Sequence, residues 1–204
     1  MANDPQASFV PSEVEGRGTE GGASTALGTN GTKLDRNYRV LGFSIAAAIF
    51  VADQLSKWIV TYPLGLQTQP NQVIYLLSFF DLRWVENYGV SMGFLTASSE
   101  SGRWLLVALT AAISAGVIAW LWREPRKGDA IALAFILGGA LGNIVDRVRY
   151  GYVVDFADLH FGAWRPFLIF NVADAAITIG VLLLLFRALL TRDGKPPRKE
   201  KSNA

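Results

Sequence analysis

The stretch GGALGNIVDRVRYGYVVDFADLHFGAWRPFLIFNVAD, Gly138 to Asp174, decides how this chain is read. It begins inside one apolar run and ends inside the next. Asp146, Arg147, Asp155 and Asp174 lie within or beside membrane-length apolar sequence. A charged group near hydrocarbon costs roughly 2.5–3.5 kcal/mol on insertion scales, so each is a functional candidate by default. On a helical third run, Asn143, Asp146 and Arg147 fall at i, i+3 and i+4 and share one face. On the fourth run Asn171 and Asp174 do the same at i, i+3. Asp155 lies between the runs, just past Gly151, where a short loop brings it back to the helix ends. Two carboxylates, Asp155 and Asp174, can then meet at the membrane edge beside amides and a guanidinium. Two carboxylates in one site do not both ionise easily, so one holds a proton and the other is a base. Such a pair can activate water against a peptide bond. Taken singly, each group also reads as helix-packing glue or a membrane-surface charge; the set together argues against that.

Composition narrows the chemistry. The chain has 204 residues, a net charge of +2 and no cysteine, and 51% of it is hydrophobic. The apolar residues gather in four blocks near the roughly 20-residue length that spans a bilayer. The absence of cysteine excludes disulfides, thiolate metal sites and a cysteine nucleophile. A single histidine, His160, excludes metal sites that need two imidazoles. No metal and no cofactor is expected, and the slight basic excess reflects membrane topology rather than nucleic-acid binding.

Working outward, residues 1–36 are polar and rich in Gly, Ser, Thr and Asn, and read as a disordered tail without the apolar core of a signal peptide. The first apolar run is roughly Val40 to Tyr62, stopped by Pro63 and Gly65. It carries Asp53 and Lys57 at i, i+4, either a self-neutralising pair or an aspartate turned toward the site. Residues 66–101 contain QVIYLL and FFDLRWVEN, β-branched and aromatic with partial alternation. They read as short strands of a small sheet on the membrane surface. In the following ENYGVSMGFL, Asn87 suits a turn, and Gly89 and Gly93 suit a bulge or close approach. Trp104 to Trp122 is the second span, bracketed by interfacial tryptophans. The third starts at Asp129, and its Gly138-x-x-x-Gly142 spacing suits tight helix packing. The aromatic-rich 148–167 segment reads as an interfacial loop or helix, with His160 solvated. The fourth span runs from about Phe167 to Leu190, and a basic tail covers residues 192–204.

Basic residues cluster before the first span (Lys33, Arg36, Arg39), between the second and third (Arg123, Arg126, Lys127) and after the fourth. The positive-inside bias places all three clusters, and both termini, in the cytoplasm. The 66–101 and 148–167 segments then lie outside, and Asp155 and Asp174 sit at the outer leaflet boundary. The expected fold is a membrane all-α bundle, residues 37–191, with four spans and a small extracytoplasmic sheet between the first two.

Four pieces of the chain resemble the lipoprotein signal peptidase (signal peptidase II) family of bacterial membrane aspartyl peptidases. They are DQLSK (Asp53 to Lys57), NYGVSMGF (Asn87 to Phe94), GNIVDRVRYGYVVDF (Gly142 to Phe156) and FNVAD (Phe170 to Asp174). The third is similar to the family's GN-x-x-DR-x-x-x-G-x-V-x-DF pattern. The resemblance implies that Asp155 and Asp174 are the catalytic pair and that Asp146 is not; spacing alone does not choose between Asp155 and Asp146. It implies that Asp53, Lys57, Asn87, Gly89, Asn143, Arg147, Asn171 and Ala173 bind or orient substrate. The implied substrate is a diacylglyceryl-modified prolipoprotein, cut just before its lipidated cysteine. The implied setting is the bacterial inner membrane, with a monomer acting among membrane lipids. The tail is longer than the family usually carries. Val90, Ser91 and Met92 stand where the family often has Ala and an aromatic.

The expected mechanism is general acid–base hydrolysis without a covalent intermediate. Asn143, Arg147 and Asn171 orient the carboxylates or hold substrate backbone, and Asp53 buttresses Arg147, with Lys57 as a competing partner. The alternative from another class is a small transporter or channel subunit whose intramembrane Asp and Arg form an ion path.

Overall fold

The computed structural model describes residues 30–89 and 100–192, with side-chain surroundings for 38–89 and 100–190. Among the described residues, four helices are long and apolar enough to cross a membrane. They are α1 (Asn30–Thr61), α2 (Glu100–Arg123), α3 (Lys127–Arg149) and α4 (Val172–Arg192). Helix α1 begins ahead of the expected Val40, so residues 30–36 are helical rather than part of a disordered tail. It stops where Pro63 cannot continue it and Gly65 turns left-handed, at φ 53°.

Helix α3 is the centre of the bundle and packs against the other three. Its small residues allow this. A Cβ added to Gly138 would come within 2.6 Å of the Ala46 carbonyl oxygen on α1, and one on Gly142 within 2.3 Å of Asp53 Oδ2. Gly139 meets α4 in the same way, with an added Cβ 2.4 Å from the Ala173 carbonyl oxygen. Backbones can approach this closely only where no side chain intervenes.

Three strands form one antiparallel sheet in the order β1 (Val73–Leu77), β2 (Phe80–Asn87), β3 (Val153–Leu159). The first two fall where alternation and β-branched residues predict them. The third corrects the expectation of an interfacial loop or helix: VVDFADL joins the edge of β2, with Val85 opposite Asp155 and Asn87 opposite Val153. Sequence periodicity misses β3 because both its faces are covered. Val154 and Phe156 pack with Val60, Leu66, Leu82 and Trp84, and the alternate face presents Asp155. A bulge between Leu82 and Val85 shifts the register just ahead of that pairing.

The chain then returns to β3. The Phe170 carbonyl accepts from Phe156 N (3.1 Å) and Ala157 N (2.8 Å), and Phe170 N donates to the Ala157 carbonyl (3.1 Å). Phe170, expected inside the fourth span, is therefore held against the sheet, and α4 starts at Val172, five residues after the expected Phe167.

His160 is not solvated. Its Nε2 lies 2.9 Å from Asp81 Oδ2, with only 14% of its side chain exposed. Nearby, Asp158 is fully buried between Arg83 (3.1 Å) and Arg165 (3.0 Å). Burial alone would raise its pKa, but the two guanidiniums outweigh that and hold it below the ordinary carboxylate value.

Candidate active site

The Phe170 pairing places the start of α4 beside β3. Asn171 is not inside the helix, as the i, i+3 reading had it, but caps it. Its Oδ1 accepts from Asp174 N (2.9 Å), and Asp174 Oδ2 accepts from Asn171 N (3.3 Å). This reciprocal pair is a capping box with aspartate in the glutamate's place. It fixes the Asp174 carboxylate at the helix N-terminus, where negative charge is favoured. The Asn171 amide meanwhile donates to Asp155 Oδ1 at 2.6 Å. One asparagine therefore ties both aspartates together.

Asn143, from α3, completes the tie. Its Nδ2 donates to Asp174 Oδ1 (2.8 Å), and its Oδ1 accepts from Lys57 Nζ (3.1 Å) and Asn171 Nδ2 (3.3 Å). The two donors at its oxygen fix which way the amide points. On the other side, Asn87 Nδ2 donates to Asp155 Oδ2 (2.9 Å), and Asn87 Oδ1 accepts from Gly89 N (2.9 Å). Gly89 has φ 97°, a conformation open to glycine. Asn87 thus both closes a turn and bonds Asp155. Residues 90–99, including Val90, Ser91, Met92 and Gly93, lie outside the described residues.

Asp53, Lys57 and Asp146 form a separate, fully buried knot behind the pair. Lys57 Nζ lies 2.8 Å from Asp53 Oδ2 and 2.8 Å from Asp146 Oδ2. Asp53 Oδ1 accepts from Ala173 N (2.9 Å), and Asp146 Oδ2 accepts from Val154 N (3.1 Å). Asp53 therefore faces inward and pairs with Lys57 at once, so the two readings of that pair were not exclusive. It does not buttress Arg147, which is absent from its partners. Gln54, unremarked in the sequence, donates to Asp146 Oδ1 (3.0 Å), Asp53 Oδ2 (3.2 Å) and the Gly142 carbonyl (3.3 Å). The signal available was its place in DQLSK between two charged residues.

Arg147 lies within electrostatic reach of Asp174, Asp155 and Asp146. Its Nη1 reaches the Asn143 carbonyl at 3.5 Å, and its buried Nε has no hydrogen-bond partner. Asp155 itself is 1% exposed. Burial, and then the neighbouring Asp174 charge, push its carboxyl up to about 7, against the pull of Asn87, Asn171 and Lys57.

Two cavities open on the pair. One, of about 620 Å³, runs between the sheet and the 165–169 segment and is bounded by Glu86, Asn87, Gly89, Asp155 and Arg165. The other, of about 290 Å³, is almost wholly apolar, follows α4 and touches Asp174. Phe167 and Leu168 wall both, and Leu168 is 91% exposed between them.

A carboxyl that holds a proton near neutrality, linked by amides to a second carboxylate at the rim of a membrane bundle, is built for acid–base hydrolysis. The class defined is a membrane-embedded aspartyl hydrolase. A family described as Signal peptidase (SPase) II matches residues 45–190. A lipoprotein signal peptidase of Rhizorhabdus wittichii is 61% identical over 160 residues, covering 78% of this chain and 92% of that protein. One from Sphingopyxis alaskensis is 60% identical over 153 residues, covering 75% and 87%. A solved bacterial membrane enzyme superposes with a TM-score of 0.65 at 26% identity, covering 79% of this chain and 94% of that one. The chain belongs to the signal peptidase II family and is a peptidase of the aspartic type. The transporter alternative gives way to this.

Proposed function

We propose that this peptidase removes signal peptides from diacylglyceryl-modified prolipoproteins, cutting before the lipidated cysteine, with Asp155 and Asp174 as its catalytic pair. The observation that carries the reading is the Asn171 amide, which holds Asp155 Oδ1 at 2.6 Å while its backbone and side chain cap onto Asp174. The ionised member of the pair takes a proton from a water bound between them. That water's oxygen attacks the scissile carbonyl, toward which the protonated member donates a hydrogen bond. The tetrahedral intermediate then collapses as the amine leaving group takes up a proton. Arg147, with its unpartnered buried Nε, is placed to hold a substrate carbonyl. The apolar cavity along α4 suits the lipid-bearing side of the substrate, and the larger polar-rimmed one suits the polypeptide.

The Lys/Arg distribution supports both termini in the cytoplasm of a bacterial inner membrane, with the pair at the outer leaflet boundary. The proposal includes a monomer working among membrane lipids. The test is cleavage of a diacylglyceryl prolipoprotein by the purified protein in detergent, beside folded Asp155→Asn and Asp174→Asn. Activity in the parent and none in either variant is expected; full activity in either variant refutes the pair.

A further inference from the structure

The 165–169 segment forms a wall common to both cavities, and it is held at each end. Arg165 Nε lies 3.0 Å from Oδ1 of the buried Asp158. Phe170 pairs with Ala157 through both of its backbone groups, at 3.1 and 2.8 Å. Pro166 stiffens the stretch between these anchors by fixing its own φ. Leu168 stands out from that stretch, 91% exposed. Burial of a side chain is what makes it stabilise a fold, and Leu168 has almost none. Its apolar surface is left for whatever molecule enters the cavities.

Those cavities accept different chemistry. The one along α4 runs from Asp174 past Thr178 to Ile179. Asp174 and Thr178 are the polar side chains on its wall, and both are engaged. The Asp174 oxygens accept from Asn143 Nδ2 and Asn171 N, and Thr178 Oγ1 donates to the Asp174 carbonyl at 2.8 Å. A polypeptide laid there would find no side-chain donor for its carbonyls, and an unpaired amide group out of water costs free energy. Hydrocarbon makes no such demand. Ile179, Leu182 and Phe186, at helical spacing on α4, are 46%, 57% and 60% exposed, so the cavity opens onto the lipid-facing side of that span. An acyl chain can lie in it and remain continuous with the bilayer. The cavity over Asp155 is different. Arg165 forms part of its wall and commits Nε to Asp158, while its Nη1 and Nη2 bond no described residue and stay available to peptide carbonyls. A lipidated peptide that occupies both cavities passes from one to the other beside Leu168.

We propose that Leu168 is a specificity-determining residue that recognises the lipid on the substrate. Its side chain packs against the glyceryl thioether and the first acyl carbons where they leave the polypeptide. Leu168 touches no reacting group; it favours a cysteine that already carries its lipid over one that does not. The inference rests on the prolipoprotein reading above.

The test uses two synthetic prolipoprotein peptides, alike except that one cysteine carries diacylglyceryl and the other glyceryl alone, with the full-length protein in detergent. Leu168→Ala lowers kcat/KM on the diacylglyceryl peptide about tenfold, the low end of apolar discrimination because this wall is open. The loss lies in KM, as expected for a contact made equally in the bound and transition states. On the glyceryl peptide the variant stays within about twofold of the parent, since the contact is missing there. Where that peptide is cut too slowly to follow, its inhibition constant against the lipidated peptide supplies the same comparison. Leu168→Met keeps the apolar contact and the parent's preference. Neither substitution removes buried packing, and an unchanged Tm checks this. An equal loss on both peptides marks a residue that only anchors the segment in lipid, and overturns the proposal. A loss confined to kcat, or an undiminished preference in Leu168→Ala, overturns it too. A parent that cuts neither peptide refutes the prolipoprotein reading itself, so the two failures are told apart.

Discussion

Asp155→Asn is expected to abolish cleavage and yet to make the folded protein relatively more stable as pH rises. Burial and the Asp174 charge lift the Asp155 carboxyl from the ordinary 3.8 to about 7. The folded form then binds that proton more tightly than the unfolded form does. Stability of the parent therefore falls as pH rises from about 4 to about 7, and levels off above. The full displacement is about 3 units (7 less 3.8). At about 1.4 kcal/mol per unit, ionising Asp155 costs the fold about 4 kcal/mol at pH 8 and about 2 kcal/mol at pH 5. Asparagine removes that titration. It also turns an amide toward Asn87 Nδ2 or Asn171 Nδ2, both donors to Asp155, at an offsetting cost of about 1–3 kcal/mol. That second cost does not depend on pH. The clean quantity is thus the change in the variant's stability relative to parent between pH 5 and pH 8, a gain of about 2–3 kcal/mol. Chemical unfolding in detergent micelles at the two pH values measures it. A variant whose relative stability stays flat or falls from pH 5 to pH 8 refutes the claim that Asp155 is held protonated by its surroundings.

Asp146→Asn attacks the knot behind the pair. It removes one of two carboxylates from Lys57 and is expected to cost about 3 kcal/mol, the low end for a broken buried pair because Asp53 keeps the ammonium. Cleavage per folded molecule stays within a few-fold of parent, as unfolding and single-turnover assays on one preparation will tell. Asn143→Ala takes the donor from Asp174 Oδ1, and kcat falls about 100-fold from misplacement while KM barely moves. The pH–rate profile loses activity as the pH rises through about 7, and Asn87→Ala moves that limb upward, because Asn87 donates to the ionised form of Asp155. Gly142→Ala drives a methyl to within 2.3 Å of Asp53 Oδ2 and destabilises the bundle by about 1–3 kcal/mol, visible as a lowered Tm.

The spans were legible because a bilayer imposes length and apolarity on each of them. β1 and β2 were legible from β-branched and aromatic alternation. β3 was not, because VVDFADL is covered on both faces and its partner β2 lies about 70 residues earlier in sequence. The start of α4 was misjudged for a related reason. PFLIF is apolar enough to belong to a span, and only its backbone pairing with Ala157 keeps Phe170 out of the helix. The same pairing makes Asn171 a cap, a role that a helical wheel cannot display. His160 was read as solvated because its partner, Asp81, sits on a strand that sequence distance hides. Gln54 went unnoticed because a neutral amide carries no electrostatic oddity in an apolar run.

Why Asp155 and Asp174 differ from Asp53 and Asp146 is a question of partners, not residue type. Asp53 and Asp146 share a buried ammonium at 2.8 Å from each, and backbone N–H groups take further oxygens. Those carboxylates are compensated by charge. Asp155 and Asp174 receive their close hydrogen bonds from neutral amides: Asn87, Asn143 and Asn171. An amide orients a carboxylate without cancelling its charge, so the mutual repulsion of the pair survives and a proton between them remains favourable. Lys57 contributes to both regimes, neutralising the rear pair while its bond to Asn143 Oδ1 turns that amide's Nδ2 toward Asp174. The rear knot thus positions Asp174 through a single asparagine. An oriented carboxylate pair that still shares a proton is what water activation at a membrane edge requires.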